Sequence, residues 1–126
     1  SSAASDVYKR QELPRDAALR ELKEECDVSG NVTGIYAIRE NLTETGPAVF
    51  IAYSVDLLPG EVPKPASEVA EAKFVKQSEF DSLLWVSEAM KSIAINAINQ
   101  IPFSTTDYSK QRGYPYLLHQ NTEVSN

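Results

Sequence analysis

The sequence predicts an α/β domain. Three observations carry this: an amphipathic helical pattern near the start, two β-rich runs after it, and a second helical pattern near residue 90. Helix and strand alternate in type along one short chain, which favours helices packed on a sheet. At 126 residues the chain has the length of a single domain.

The elements follow in order. Pro14 to about Cys26 reads as a helix: proline suits its first turn, Asp16 favours the positive end of the dipole, and Ala, Leu, Arg, Glu and Lys fill the interior. Ala18, Leu22 and Cys26, spaced i, i+4, i+8, form its apolar stripe. Asn31 to about Arg39 is rich in β-formers and reads as a strand, with Glu40 to Gly46 as a polar turn. Ala48 to Leu57 is apolar enough for a central strand. Leu58 to Ser67 holds three prolines and a glycine and reads as a loop. A short strand is expected at Ala72–Val75 and a short helix from Ser78. Ser87 is the expected N-cap of a helix reaching about Gln100, with Ala89, Ile93, Ala97 and Ile101 on its apolar side. Residues 101–126 show no period and read as an irregular tail. Tyr36, Phe50 and Phe74 are expected in the core or sheet, and Trp85 as a core residue flanking the helix.

Composition narrows the chemistry. The formal charge is −6, a poor match to nucleic acid or an anionic membrane. No apolar run approaches the ~20 residues of a membrane span. The single cysteine, Cys26, excludes an intrachain disulfide and points to a reducing, cytoplasmic setting. With one histidine, His119, in the expected tail, multi-histidine metal sites are excluded. What remains is carboxylate chemistry.

That chemistry concentrates in the first helix. Glu21, Glu24 and Glu25 stand at i, i+3, i+4 and are expected on one helix face. Crowded carboxylates repel one another unless a cation intervenes, so they suit a hard, oxygen-seeking ion such as Mg²⁺ or Mn²⁺. Arg20 is within reach of Glu24 at i+4. The acidic triplet alone reads more readily as a solvated face with i,i+4 ion pairs. The wider pattern is far more specific: Glu12, Arg20, Glu21, Leu22, Glu24, Glu25 and Val28 form E-x7-R-E-L-x-E-E-x-x-V.

This pattern resembles the Nudix box of the Nudix hydrolases, G-x5-E-x7-R-E-U-x-E-E-x-G-U with U a bulky aliphatic. The family's last glycine is Asp27 here, at a helix end where a left-handed conformation is common and aspartate is better tolerated than most residues. The family's first glycine would fall at Asp6. The resemblance implies an α/β/α sandwich with a mixed sheet. It implies that Arg20 pairs with Glu12 and orients the metal-binding glutamates, that Glu24 and Glu25 bind metal, and that Glu21 is a ligand or the base that activates water. A further carboxylate is expected in the loop before the last sheet strand. Glu68 is preferred there over Glu71, and a plain surface role is the alternative for either.

The implied activity is Mg²⁺- or Mn²⁺-dependent hydrolysis of a nucleoside diphosphate linked to another moiety. The implied partner is a nucleotide-type small molecule, and a homodimer is one assembly open to the chain. A non-catalytic nucleotide sensor is the alternative, disfavoured by the intact box; a purely structural α/β domain would bind no metal. Residues 1–11, SSAASDVYKRQ, resemble the translation of a transposon-type sequencing adaptor. The expectation is therefore an adaptor-like segment at 1–11, the C-terminal part of an N-terminally truncated Nudix domain at 12–100, and a tail at 101–126.

Overall fold

The computed structural model describes residues 12–121, so the adaptor-like segment lies outside the described residues. Helix α1 spans Pro14–Cys26, with proline in its first turn and Asp16 beside it. Strands β1 (Gly30–Thr43) and β2 (Gly46–Leu57) follow as one antiparallel hairpin, registered from Gly30 opposite Leu57 to Thr43 opposite Gly46. Its two-residue connection is Glu44–Thr45, closed by Thr43 Oγ1 donating to the Gly46 carbonyl at 2.9 Å. The polar turn expected at 40–46 is thus mostly strand. Hairpin arms that extend into solvent need no apolar face, so Glu40–Thr43 pair through their backbones despite their polarity.

The segment Ala72–Val75, expected as a strand, is extended but joins no sheet, and Phe74 within it is 66% exposed. Backbone alone does not make a strand; a pairing partner is required, and none lies alongside among the described residues. The short helix expected from Ser78 is a 3₁₀ turn, Gln77–Ser82. Helix α2 spans Glu88–Asn99, and Ser87 caps it by accepting from the Met90 N–H at 3.2 Å. Lys91 of α2 reaches back to Asp81 at 2.7 Å. Trp85 packs edge-on to Phe80, ring centroids 5.2 Å apart, and its indole N–H donates to the Phe80 carbonyl at 2.8 Å.

Residues 101–121 are not an irregular tail. They form strand β3 (Ser104–Asp107), a single turn of helix α3 (Ser109–Arg112) and strand β4 (Leu117–Gln120), with β3 and β4 antiparallel. Four-residue strands are too short to show a period, which hid them in the sequence. Tyr108, Tyr114 and Tyr116 cluster edge-to-face at the hairpin's turn, with Arg112 over the Tyr116 ring at 4.6 Å. Phe103, just before β3, exchanges backbone hydrogen bonds with Ile35 of β1 at 2.8 and 3.1 Å.

Helices and small antiparallel sheets therefore give the mixed α/β content expected. The mixed sheet is not formed among the described residues: both sheets are two-stranded and antiparallel. Each pair is joined by a short connection, whereas a parallel neighbour needs a crossover of a dozen or more residues returning to the same sheet. Among the described residues β2, expected to be central, pairs with β1 alone. The apolar side chains that are buried among the described residues are Val28, Ile35 and Phe80, Val28 fully so. No helix among these residues is long and apolar enough to cross a membrane.

Candidate functional site

The site is built on α1. Apolar Ala18, Leu22 and Cys26 are half-buried toward the sheet and the following loop, while Arg20, Glu21, Glu24 and Glu25 are exposed. At about 100° per residue, steps of i+3 and i+4 fall on opposite sides of the starting residue. Glu24 and Glu25 accordingly diverge. Glu24 turns to Arg20, while Glu21 and Glu25 edge an apolar cleft of about 700 Å³ between α1 and β2, whose lining includes Leu22, Ile51 and Tyr53.

Arg20 is the hub of the exposed face. Its Nη2 lies 2.7 Å from Glu12 Oε1, and its Nε donates to both Glu12 oxygens at 3.1 and 3.3 Å. Nη1 reaches Glu24 Oε1 at 3.3 Å. The fork of the guanidinium fits this double task, which lysine could not perform. The hydrogen bond from Arg20, reinforced by its charge, holds the Glu12 carboxyl below its usual value, while the two carboxylates raise the arginine further.

The helix ends on Asp27, which adopts the left-handed conformation at φ 55°, ψ 37°, and whose N–H caps the Lys23 carbonyl. Its side chain pairs with Lys23 Nζ at 3.0 Å, and this hydrogen bond, with the charges of Lys23 and Lys64, holds the Asp27 carboxyl low. Two further helix carbonyls are satisfied by the loop. Lys64 N–H donates to Cys26 O at 2.8 Å and Ala66 N–H to Glu25 O at 3.0 Å. Sequence reasoning missed this clamp, but its signal is present. Pro63 and Pro65 have no N–H, so Lys64 and Ala66 carry the donors of this stretch, on an extended backbone that lays them along the helix end.

The chain matches no family model, no curated protein and no solved structure. The site is therefore read from its own residues.

The clamp bears on the additional carboxylate. Glu68 follows the docked Ala66 by two residues, after a left-handed Ser67 at φ 55°, and is exposed. Glu71 is drawn to Lys73 at 3.0 Å and lines a different cleft of about 430 Å³ with Val28 and Leu57. Among the described residues, the carboxylates of Glu21 and Glu25 make no hydrogen bond or ion pair, and no three His, Cys, Asp or Glu side chains converge on one cation position. The oxygen donors fit a hard divalent ion in type.

Proposed function

We propose that this chain carries the metal-binding helix of a Mg²⁺- or Mn²⁺-dependent hydrolase acting on a nucleoside diphosphate linked to another moiety. The observation that carries the reading is Arg20 paired with Glu12, as the Nudix resemblance implies, while also reaching Glu24 one turn on. The left-handed Asp27 supports it too, because the one departure from the box after Glu12 falls where the backbone asks for glycine-like freedom. The reading further implies an α/β/α sandwich, of which residues 12–100 supply the box helix and neighbouring strands. The single cysteine agrees with a cytoplasmic setting.

Glu21, Glu24 and Glu25 would hold the ion, with Glu68 at the loop side. When bound, the ion would neutralise phosphate charge and make its water more acidic. Arg20 limits the rotamers of Glu24 through its hydrogen bond, and Glu12 fixes Arg20 in turn. Glu21, unpaired at the cleft edge, is free to take a proton from an attacking water or to serve as a ligand.

The test is Mn²⁺ titration followed by paramagnetic broadening of the α1 amide signals. Broadening centred on 21–25, weakened about tenfold or more in Glu24→Gln and in Glu25→Gln, is expected, since glutamine keeps shape but loses charge. Equal broadening in the double variant would remove both residues from the site.

A further inference from the structure

The C-terminal hairpin is fastened at two places. One is the backbone exchange between Phe103 and Ile35. The other is His119 of β4, which the proposed hydrolase does not use. Its Nδ1 lies 2.7 Å from Thr105 Oγ1 on the paired strand, and its ring stands edge-on to Tyr53 of β2, centroids 6.4 Å apart. The imidazole is half-buried there.

Charged groups surround this contact. From α1, Arg15 acts on His119, on Tyr53 and on Asp107, and Asp16 acts on Tyr53. From the hairpin, the Asp107 carboxylate accepts from the Ser109 N–H at 2.8 Å. Arg15 is thus the charge on α1 that His119 meets when the hairpin is docked.

We propose that His119, packed on Tyr53 and bonded to Thr105, is an acid-released latch between the C-terminal hairpin and the α1–β2 layer. The Thr105 hydroxyl can donate to Nδ1 or accept from it, so that hydrogen bond survives either protonation state. What an imidazolium does not tolerate is loss of water against Tyr53 together with the nearby guanidinium.

Burial first, and Arg15 second, hold His119 below its ordinary value of 6.5. A base lowered in the docked state favours docking fully at pH above that ordinary value. The contribution is lost as pH falls through it toward the lower docked value. Each unit of lowering corresponds to about a tenfold larger opening constant in acid.

The experiment is amide hydrogen exchange of Leu117–Gln120, corrected for intrinsic rates, between about pH 7.5 and about pH 5, on the full chain. Opening of β4 should rise several-fold in acid. His119→Gln should flatten that rise, and Arg15→Gln should reduce it. An undiminished rise in His119→Gln would overturn the latch. Because the chain has one histidine, its ring-proton titration is unambiguous in the unaltered protein and decides the matter even if the variant fails to fold. A midpoint at or above the ordinary value would overturn the proposal, and a midpoint unmoved by Arg15→Gln would remove Arg15 from it.

Discussion

Gly34→Ala tests how the C-terminal hairpin is joined to the rest of the molecule. Gly34 is buried in β1, beside a register shift between Val32 and Gly34, where the chain before β3 crosses it. A Cβ added there would run into the Phe103 carbonyl oxygen and lie 3.0 and 3.2 Å from Pro102 Cβ and Cγ. The oxygen belongs to the backbone and accepts the Ile35 N–H at 3.1 Å, while Phe103 N–H donates back to Ile35 O at 2.8 Å. The methyl group therefore pushes on the very strand that these two bonds hold. Losing both, at about 0.5–1.5 kcal/mol each, costs about 1–3 kcal/mol. Stiffening of the unfolded chain by alanine adds up to ~1 kcal/mol against folding freedom lost elsewhere, so the two terms partly offset. A net loss of about 1–2 kcal/mol lowers Tm by roughly 4 °C per kcal/mol in a domain of this size. Urea melts and amide exchange at Ile35 and Phe103 read the two halves of the argument. Gly60→Ala is the control: its φ is +80° with open space around it, so it should cost stability without exposing those two amides. An alanine at 34 that leaves both Tm and amide protection unchanged would refute the reasoning.

Other outcomes follow from the same geometry. Asp27→Gly should raise Tm by a few degrees, because glycine removes the left-handed penalty while the exposed pair with Lys23 adds little; Asp27→Val should lower it, and a scan showing the reverse order would mean that the charge pair dominates. Glu12 is held below its ordinary value of 4.5 by Arg20, so its contribution is present above that value and lost as pH falls through the lower folded one. Carboxyl-carbon titration should show its midpoint return to the ordinary value in Arg20→Ala, and an unmoved midpoint would deny the coupling. Ala48 to Val55 carries no charged residue on a strand whose outer edge pairs with nothing among the described residues. Val49→Lys should therefore slow aggregation measured by light scattering, and equal rates would place the sticky surface elsewhere.

Legibility varied with how local the cause was. Helix α1 begins and ends where Pro14 and Asp27 say it should, because propensity, dipole and cap all reside within the segment. Ser87 likewise marks α2 through a bond to a residue three positions on. The Arg20 bridge was readable in part from spacing, since i+4 on a helix fixes Glu24 as one partner, while Glu12 was implied by the box resemblance. Ala72–Val75 looked like a strand and is not one, because pairing depends on a neighbour that composition cannot supply. β3 and β4 were invisible for the opposite reason: their pairing is nonlocal and their side chains carry no alternation. The divergence of Glu24 from Glu25 required the helix in three dimensions, where a shared face about 100° wide can still look two ways.

Trp85 gives the molecule a built-in optical reporter with a narrow field of view. It is the chain's one tryptophan, and its indole is bonded to the Phe80 carbonyl and stacked edge-on to that ring. Its emission therefore follows the integrity of the corner between the 3₁₀ turn and α2, around the buried Phe80. Far-ultraviolet dichroism instead weights α1 and α2. Superimposable unfolding curves from the two signals would show a single cooperative unit, and an emission change that precedes the dichroism would identify this corner as the first part to open.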